Sequence, residues 1–220
     1  MSLSPIQMEK VSAVPLWQRW LSPHELVREK ESVGKIQILD TQLFAEEIST
    51  IYSGEQTKSE QRAALLSLSK LKLSEGKAAL EAGLMRDRDG AVYVGAHAIL
   101  IDQLIGGLFA AAENYVFATK ARFALMAVGG YGRGELAPLS DIDLLFVMPQ
   151  RHKKSDVEFV EFILYMLWDL GLVVGHASRT VHQNIAAADE DITIRTSLLE
   201  MRSIAGATSV SEHMLSTFKH

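Results

Sequence analysis

The sequence predicts an α+β fold, in which a small mixed β-sheet is packed with helices and follows an N-terminal helical region. The sheet is indicated by two apolar runs rich in β-forming residues, Arg122–Val128 and Ile142–Met148, with the glycine cluster Gly129–Gly134 between them. The helices are indicated by apolar residues that recur at helical spacing before residue 120. We therefore divide the chain into an N-terminal arm and helical region, residues 1–90, and a core, residues 91–220.

The region before the glycine cluster is predicted to be mostly helical. The first twenty residues have two prolines and no clear period, which indicates an irregular arm. Ser22 and Pro23 have the pattern of an N-cap followed by the first helical position and predict a helix start there. Further helices are predicted over Thr41–Tyr52, Ser59–Met85 and Tyr93–Thr119.

Two of these helices have a feature that bears on their packing. Gly76 is expected to be a weak point of the helix over Ser59–Met85, because glycine has low helix propensity. The helix over Tyr93–Thr119 is strongly apolar and is expected to be a core element. Its polar residues Asp102 and Gln103 could approach a ligand, but a pair that faces the surface is the favoured interpretation.

After the glycine cluster, strand and helix patterns alternate. Ser155–Glu158 has the pattern of a capping box and predicts a helix that starts there and ends near Leu170. Leu172–Val174 is predicted as a third strand, and a final helix is predicted to carry Glu200.

Two aspartates near the start of the second apolar run, Asp141 and Asp143, are separated only by Ile142. Because side chains alternate along a strand, both carboxylates are expected on one face, about 6 to 7 Å apart, while Ile142 points into the core. Such a pair repels by about 2 to 3 kcal/mol at an effective dielectric near 20, and a divalent cation relieves that repulsion. Oxygen ligands favour Mg²⁺ or Mn²⁺. The pair therefore predicts a catalytic metal site.

The glycine cluster has the composition of a phosphate-binding turn. Gly129 and Gly130 lack a Cβ, so the backbone can bend sharply and present N–H groups to a phosphate. Arg133 can add a charge-assisted hydrogen bond. A glycine cluster alone is often a simple turn, and an Asp-x-Asp pair alone is often an exposed strand end. Together they favour a functional site, since an uncompensated buried charge costs several kcal/mol.

Composition excludes several other classes of protein. The formal net charge of -5 argues against a nucleic-acid partner held by a basic face. The absence of cysteine excludes disulfides and thiolate metal sites. The first residues lack the pattern of a signal peptide, and no run reaches the ~18 apolar residues of a membrane span. We expect a soluble cytoplasmic protein with no membrane partner.

The central motif resembles the nucleotidyltransferase motif of the DNA polymerase β superfamily. The residues that carry this resemblance are Gly129–Glu135, Pro138, Ser140, Asp141 and Asp143. Further segments are similar to the bifunctional uridylyltransferase/uridylyl-removing enzymes that modify the PII nitrogen-signalling protein; these segments are Leu167–Leu172, Val174–Thr180 and Asp191–Glu200. The likeness extends from about Gly76 to Gly206.

The resemblance implies a polymerase β-like core that transfers UMP from UTP to a tyrosine hydroxyl of PII and releases pyrophosphate, with Mg²⁺ or Mn²⁺ as cofactor. It makes Asp141 and Asp143 the catalytic and metal-binding residues. The implied nucleotide-binding residues are Gly129, Gly130, Arg133, Ser140 and Arg179.

The chain departs from the superfamily pattern at the third metal ligand. Many members have a third carboxylate on the strand after the helix, where this sequence has His176, Ala177 and Ser178. Glu200 is the candidate third ligand, and Asp191 is an alternative to it.

The resemblance also bears on the length of the chain. In the similar enzymes, removal of UMP belongs to a metal-dependent HD-type domain and glutamine sensing to ACT domains. This chain contains no His-Asp dipeptide and ends at His220, shortly after the resemblance stops. We expect a core truncated at its C-terminal end, weakly active or inactive alone.

Three other functions stay open. A different nucleotidyltransferase would share both motifs but use another nucleotide or acceptor. A nucleotide-binding sensor would keep the site without catalysis. A Rossmann dehydrogenase fits least, because the glycines precede a strand bearing Asp-x-Asp and no acidic residue lies on a following strand about 20 residues on.

Overall fold

The computed structural model describes residues 38–218, which belong to one compact unit, Ile36–His220. The predicted arm and the helix starting at Ser22 lie outside the described residues. In chain order the elements are α1 (Thr41–Ser53), α2 (Lys58–Asp87), α3 (Gly90–Ala111), β1 (Ala124–Ala127), α4 (Gly129–Gly132), β2 (Ile142–Met148), α5 (Lys154–Asp169), β3 (Val174–Thr180), α6 (Val181–Glu190), α7 (Ile192–Leu199), β4 (Arg202–Gly206) and α8 (Thr208–Phe218). The division at residue 90, next to the start of α3, stays a prediction.

The helix α2 runs without interruption through Gly76, so the expected weak point does not break it. Gly76 is buried, and a Cβ there would clash with the side chain of Leu100 on α3. The glycine therefore lets α2 and α3 approach closely, and this packing outweighs its low helix propensity.

The helix α3 is the central element of the helical layer. It ends at Ala111, earlier than predicted, and continues as one π-helical turn, Ala112–Val116. In the described part of the chain, Gly90–Val116 is the one helical segment long and apolar enough to span a membrane. The mean hydropathy of its most apolar 18-residue window is 1.5, and 61% of that window is buried inside the protein. This burial is that of a core helix.

The described strands form one mixed sheet with the order β3-β2-β1-β4. β1 pairs antiparallel with both β2 and β4, whereas β2 pairs parallel with β3. The predicted α+β class with a small mixed sheet packed with helices is confirmed.

Helices cover both faces of this sheet. On one face, Phe159 of α5 packs against Phe109 of α3 and Phe123, with ring centroids 4.8 and 5.3 Å apart. On the other face, Leu145 and Val147 of β2 pack in a cluster with residues of α6, α7 and α8. Because side chains alternate along a strand, Asp143 shares this second face with Leu145 and Val147. The start of β2 is thus directed to the cleft beside α7.

The third strand and the segment around Glu200 differ from prediction. β3 covers Val174–Thr180 rather than Leu172–Val174, because all seven of its residues pair with β2. Glu200 lies just beyond the C-terminal end of α7 rather than within a helix, and a fourth strand, β4, follows it.

Candidate active site

The turn that joins β1 to β2 is the centre of the candidate site. Val128, directly after β1, donates its N–H to the carbonyl of Asp143 on β2 at 3.1 Å, which closes the turn. Gly129 has φ +59°, in the left-handed region that only glycine adopts without strain. The single helical turn α4 follows, and its Gly132 packs so tightly on the carbonyl of Glu200 that a Cβ would clash with this backbone.

The carboxylate of Asp143 lies between two glycines from different elements. A Cβ on Gly129 would lie 3.3 Å from Asp143 Oδ2, and a Cβ on Gly175 would lie 2.6 Å from Asp143 Oδ1. Gly175 occupies this position because it is the register partner of Asp143 in the parallel β2–β3 pair. The glycines leave the space that the carboxylate occupies.

The charge of Asp141 acts on the neighbouring Asp143. Asp141 is exposed directly before β2, Asp143 is half-buried, and Ile142 between them is 2% exposed. Burial raises the pKa of Asp143 above its usual value, and the negative charge of Asp141 raises it further. A cation between the carboxylates would offset both effects, and an all-oxygen donor set suits Mg²⁺ or Mn²⁺.

A cleft of about 610 Å³ opens beside Asp143, within the size range of small-molecule binding sites. Its walls come from the glycine turn, the start of β2, β3 and the cleft side of α7. A second cleft, of about 650 Å³, lies on the Asp141 side and includes the exposed Leu139 at its rim. Asp143, Gly130 and Arg133 border both clefts. The Asp143 carboxylate therefore lies where two bound molecules could meet.

The predicted nucleotide-binding residues divide between these clefts. Gly129, Gly130, Arg133 and Arg179 line the 610 Å³ cleft. Arg179 is four residues beyond Gly175 on β3, about 13 Å along the strand, so it can reach only a distant part of a ligand. Ser140 lines the second cleft, next to Asp141, and not the first.

Glu200, the candidate third metal ligand, has its carboxylate paired with a guanidinium nitrogen of Arg133. Asp191 caps the start of α7, where its carboxylate accepts the N–H of Thr193 at 2.7 Å. Among residues 38–218 no group of three His, Cys, Asp or Glu side chains is arranged to hold a metal ion. A third ligand from Glu200 stays a prediction.

Three features of the site are missing from the sequence analysis. One is the contact between Gly175 and Asp143, and a second is Ser197 of α7, which lines the 610 Å³ cleft near Gly129. The third is Asp102, which is half-buried and binds the glycine turn through Tyr131 rather than facing the surface. A lone acidic residue in the apolar α3 was the available signal for this last contact.

Comparison with known proteins gives a consistent result. Residues 117–186 match the nucleotidyltransferase domain family. The matched segment contains the glycine turn, Asp141, Asp143 and Arg179.

Curated relatives extend the match over more of the chain. The bifunctional uridylyltransferase/uridylyl-removing enzyme of Bradyrhizobium sp. (strain ORS 278) is 40% identical over 162 residues, 71% of this chain and 17% of that protein. The enzyme of the same name from Azospirillum brasilense is 38% identical over 178 residues, 79% of this chain and 19% of that protein. The one from Phenylobacterium zucineum (strain HLK1) is 45% identical over 123 residues, 54% of this chain and 13% of that protein. The match thus spans less than a fifth of these relatives' length.

Proposed function

The chain contains a nucleotidyltransferase domain, and on that premise we propose that it transfers UMP from UTP to a tyrosine hydroxyl of the PII signalling protein. The reaction would release pyrophosphate and would serve nitrogen regulation in the cytoplasm. The name shared by the relatives supports uridylyl transfer, and the resemblance of the motifs supports PII as the acceptor.

One observation carries the proposal: the Asp143 carboxylate borders two clefts and lies beside a glycine turn and a second carboxylate. A triphosphate in the 610 Å³ cleft could meet the N–H groups of Gly129 and Gly130. An acceptor hydroxyl could enter from the Asp141 side, where Ser140 and Glu135 line the second cleft. Both substrates would then meet next to the aspartate pair.

Asp141 and Asp143 would hold Mg²⁺ or Mn²⁺, with Glu200 as a third ligand if its pairing with Arg133 opens. When bound, the metal would neutralise triphosphate charge and lower the pKa of the attacking hydroxyl.

The acceptor oxygen would form a new bond to the α-phosphorus, the bond from that phosphorus to the pyrophosphate oxygen would break, and the hydroxyl proton would pass to water. Arg133, which already lies between two carboxylates, would exchange an ion pair for a phosphate oxygen. Arg179 would contact a part of the nucleotide farther from Asp143.

The proposal is tested by incubating the chain with PII and each of the four α-³²P-labelled nucleoside triphosphates in Mg²⁺. We expect UTP to be the one nucleotide of the four that labels PII. The label should be on tyrosine, and one pyrophosphate should be released for each label transferred. Label from another nucleotide, or on another acceptor only, would indicate a different nucleotidyltransferase. Mg²⁺-dependent UTP binding without pyrophosphate release would indicate a nucleotide sensor.

A further inference from the structure

A polar cluster behind the glycine turn links three separate elements. Tyr131 of α4 donates its hydroxyl to Asp102 Oδ1 of α3 at 2.6 Å. Arg202, the first residue of β4, donates to both carboxylate oxygens of Asp102, at 2.6 and 3.1 Å. Burial and the charge of Asp102 raise the pKa of Tyr131 well above its usual value, so the hydroxyl stays protonated as a donor.

Arg202 also holds the backbone of the turn. Its Nη2 donates to the carbonyl of Tyr131 at 3.2 Å and its Nε to the carbonyl of Gly132 at 3.4 Å. The guanidinium lies over the Tyr131 ring, 5.4 Å from its centroid. A planar group with five N–H donors can make these contacts at once, which an ammonium group cannot.

The turn depends on such outside support. α4 has four residues and no side-chain cap, and a helix this short does not persist by itself in water. Gly129 and Gly134, on either side of its backbone bend, both have positive φ. Gly129 and Gly130 of the turn line the 610 Å³ cleft, and Arg202 does not.

The cluster is not explained by stability alone. The side chains of Arg202 and Asp102 remain 27% and 26% exposed, and an ion pair of this kind adds little net stability once its desolvation is counted. Its specific effect is orientation, because it fixes the distance between α3, β4 and the turn.

We propose that Asp102, Tyr131 and Arg202 are positioning residues, which hold the glycine turn in register with Asp143 for nucleotidyl transfer. None of the three lines the 610 Å³ cleft, and of the three only Tyr131 borders the second cleft, so Asp102 and Arg202 act through the turn. This inference rests on the proposed function. A loosened turn would bind the triphosphate in several orientations. A smaller fraction of the bound triphosphate would then be aligned with the acceptor hydroxyl.

The experiment measures kcat and KM for UTP in Asp102→Asn, Tyr131→Phe and Arg202→Lys, at a temperature where circular dichroism shows each variant fully folded. We expect kcat to fall about 10- to 100-fold in Asp102→Asn and Arg202→Lys. A fall of this size corresponds to reacting groups misplaced by up to about 1 Å. Tyr131→Phe should lose less, because Arg202 still holds the carboxylate. The double variant Asp102→Asn/Arg202→Lys should be no worse than the poorer single variant, since both act through one contact.

Matched controls come from the exposed ion pair of Arg62 and Asp169, 2.7 Å apart with both side chains 44% exposed. Arg62→Lys and Asp169→Asn make the same substitutions away from the turn and should leave kcat unchanged. If the wild-type chain is active and the folded Arg202→Lys and Asp102→Asn variants have the same kcat, the positioning role is overturned and the proposed function is not. A wild-type chain that neither transfers nucleotide nor binds UTP in the presence of Mg²⁺ overturns the proposed function together with it.

Discussion

Gly175→Ala should damage catalysis without removing any charged group. A methyl group at this position would lie 2.6 Å from Asp143 Oδ1, whereas ordinary contact begins at 3.4 Å. The carboxylate oxygen must therefore move by about 0.8 Å, and the end of a half-exposed side chain can do so by rotation.

The expected magnitude follows from this displacement. A misplacement close to 1 Å at a reacting centre lowers the rate by about 100-fold, so kcat for transfer should fall by about that factor. The free energy of unfolding should change by less than about 1 kcal/mol, because alanine is more favourable than glycine within a strand by about 0.5 to 1 kcal/mol. The assay is single-turnover label transfer from UTP, with urea denaturation measured on the same samples.

Gly106→Ala is the matched control, because a Cβ on Gly106 of α3 meets no atom within 4 Å. It should retain full activity and gain slightly in stability. Wild-type turnover in Gly175→Ala would refute the argument that the position of the Asp143 carboxylate matters. Loss of folding in parallel with loss of activity would refute the argument that the carboxylate yields by rotation.

Three further predictions concern charge, pH and packing. Asp143→Asn should reduce transfer by several orders of magnitude, because it removes a metal-binding charge. Thermal stability should be unchanged or higher, because burial disfavours the charged carboxylate of Asp143 and raises its pKa. Burial lowers the pKa of His97, whose Nδ1 lies 3.0 Å from the carbonyl of Leu136. The unfolded chain then binds the proton first, so the free energy of unfolding should fall as pH drops from 6.5 to the lowered pKa and should level off below it. His97→Asn should flatten that part of a pH series of urea denaturations, and an unchanged slope would contradict this. Gly132→Ala should destabilise by about 1 to 3 kcal/mol, because the carbonyl of Glu200 cannot rotate away; unchanged urea midpoints would contradict that.

The parts of the fold that the sequence predicts correctly are those with a local pattern. β1, the glycine turn and β2 follow one another within Ala124–Met148, and each has its own composition. β4 lacks such a pattern: it has five residues, includes Gly206 and Arg202, and is a strand because β1 offers it a partner. β3 extends to Thr180 for the same reason, since its pairing with β2 determines its length and its own mixed composition does not.

The candidate site likewise combines features with a local sequence pattern and features that depend on long-range packing. Asp141 and Asp143 could be proposed from their spacing at the start of one predicted strand, because alternation is a local rule. The contact of Gly175 with Asp143 depends on the register of a parallel pair, and that of Asp102 with Arg202 joins residues a hundred positions apart. Sequence reasoning places residues on elements, but only packing determines which elements meet.

The most direct test of the metal-nucleotide site is Mn²⁺ binding, followed by electron paramagnetic resonance with a non-hydrolysable UTP analogue present. The wild-type chain should bind Mn²⁺, and Asp141→Asn and Asp143→Asn should each weaken binding by about tenfold or more, since even outer-shell partners of a metal contribute 10- to 100-fold. Asp169→Asn, in the exposed pair with Arg62, should bind as the wild type does. Equal Mn²⁺ affinity in all four proteins would contradict the assignment of the aspartate pair.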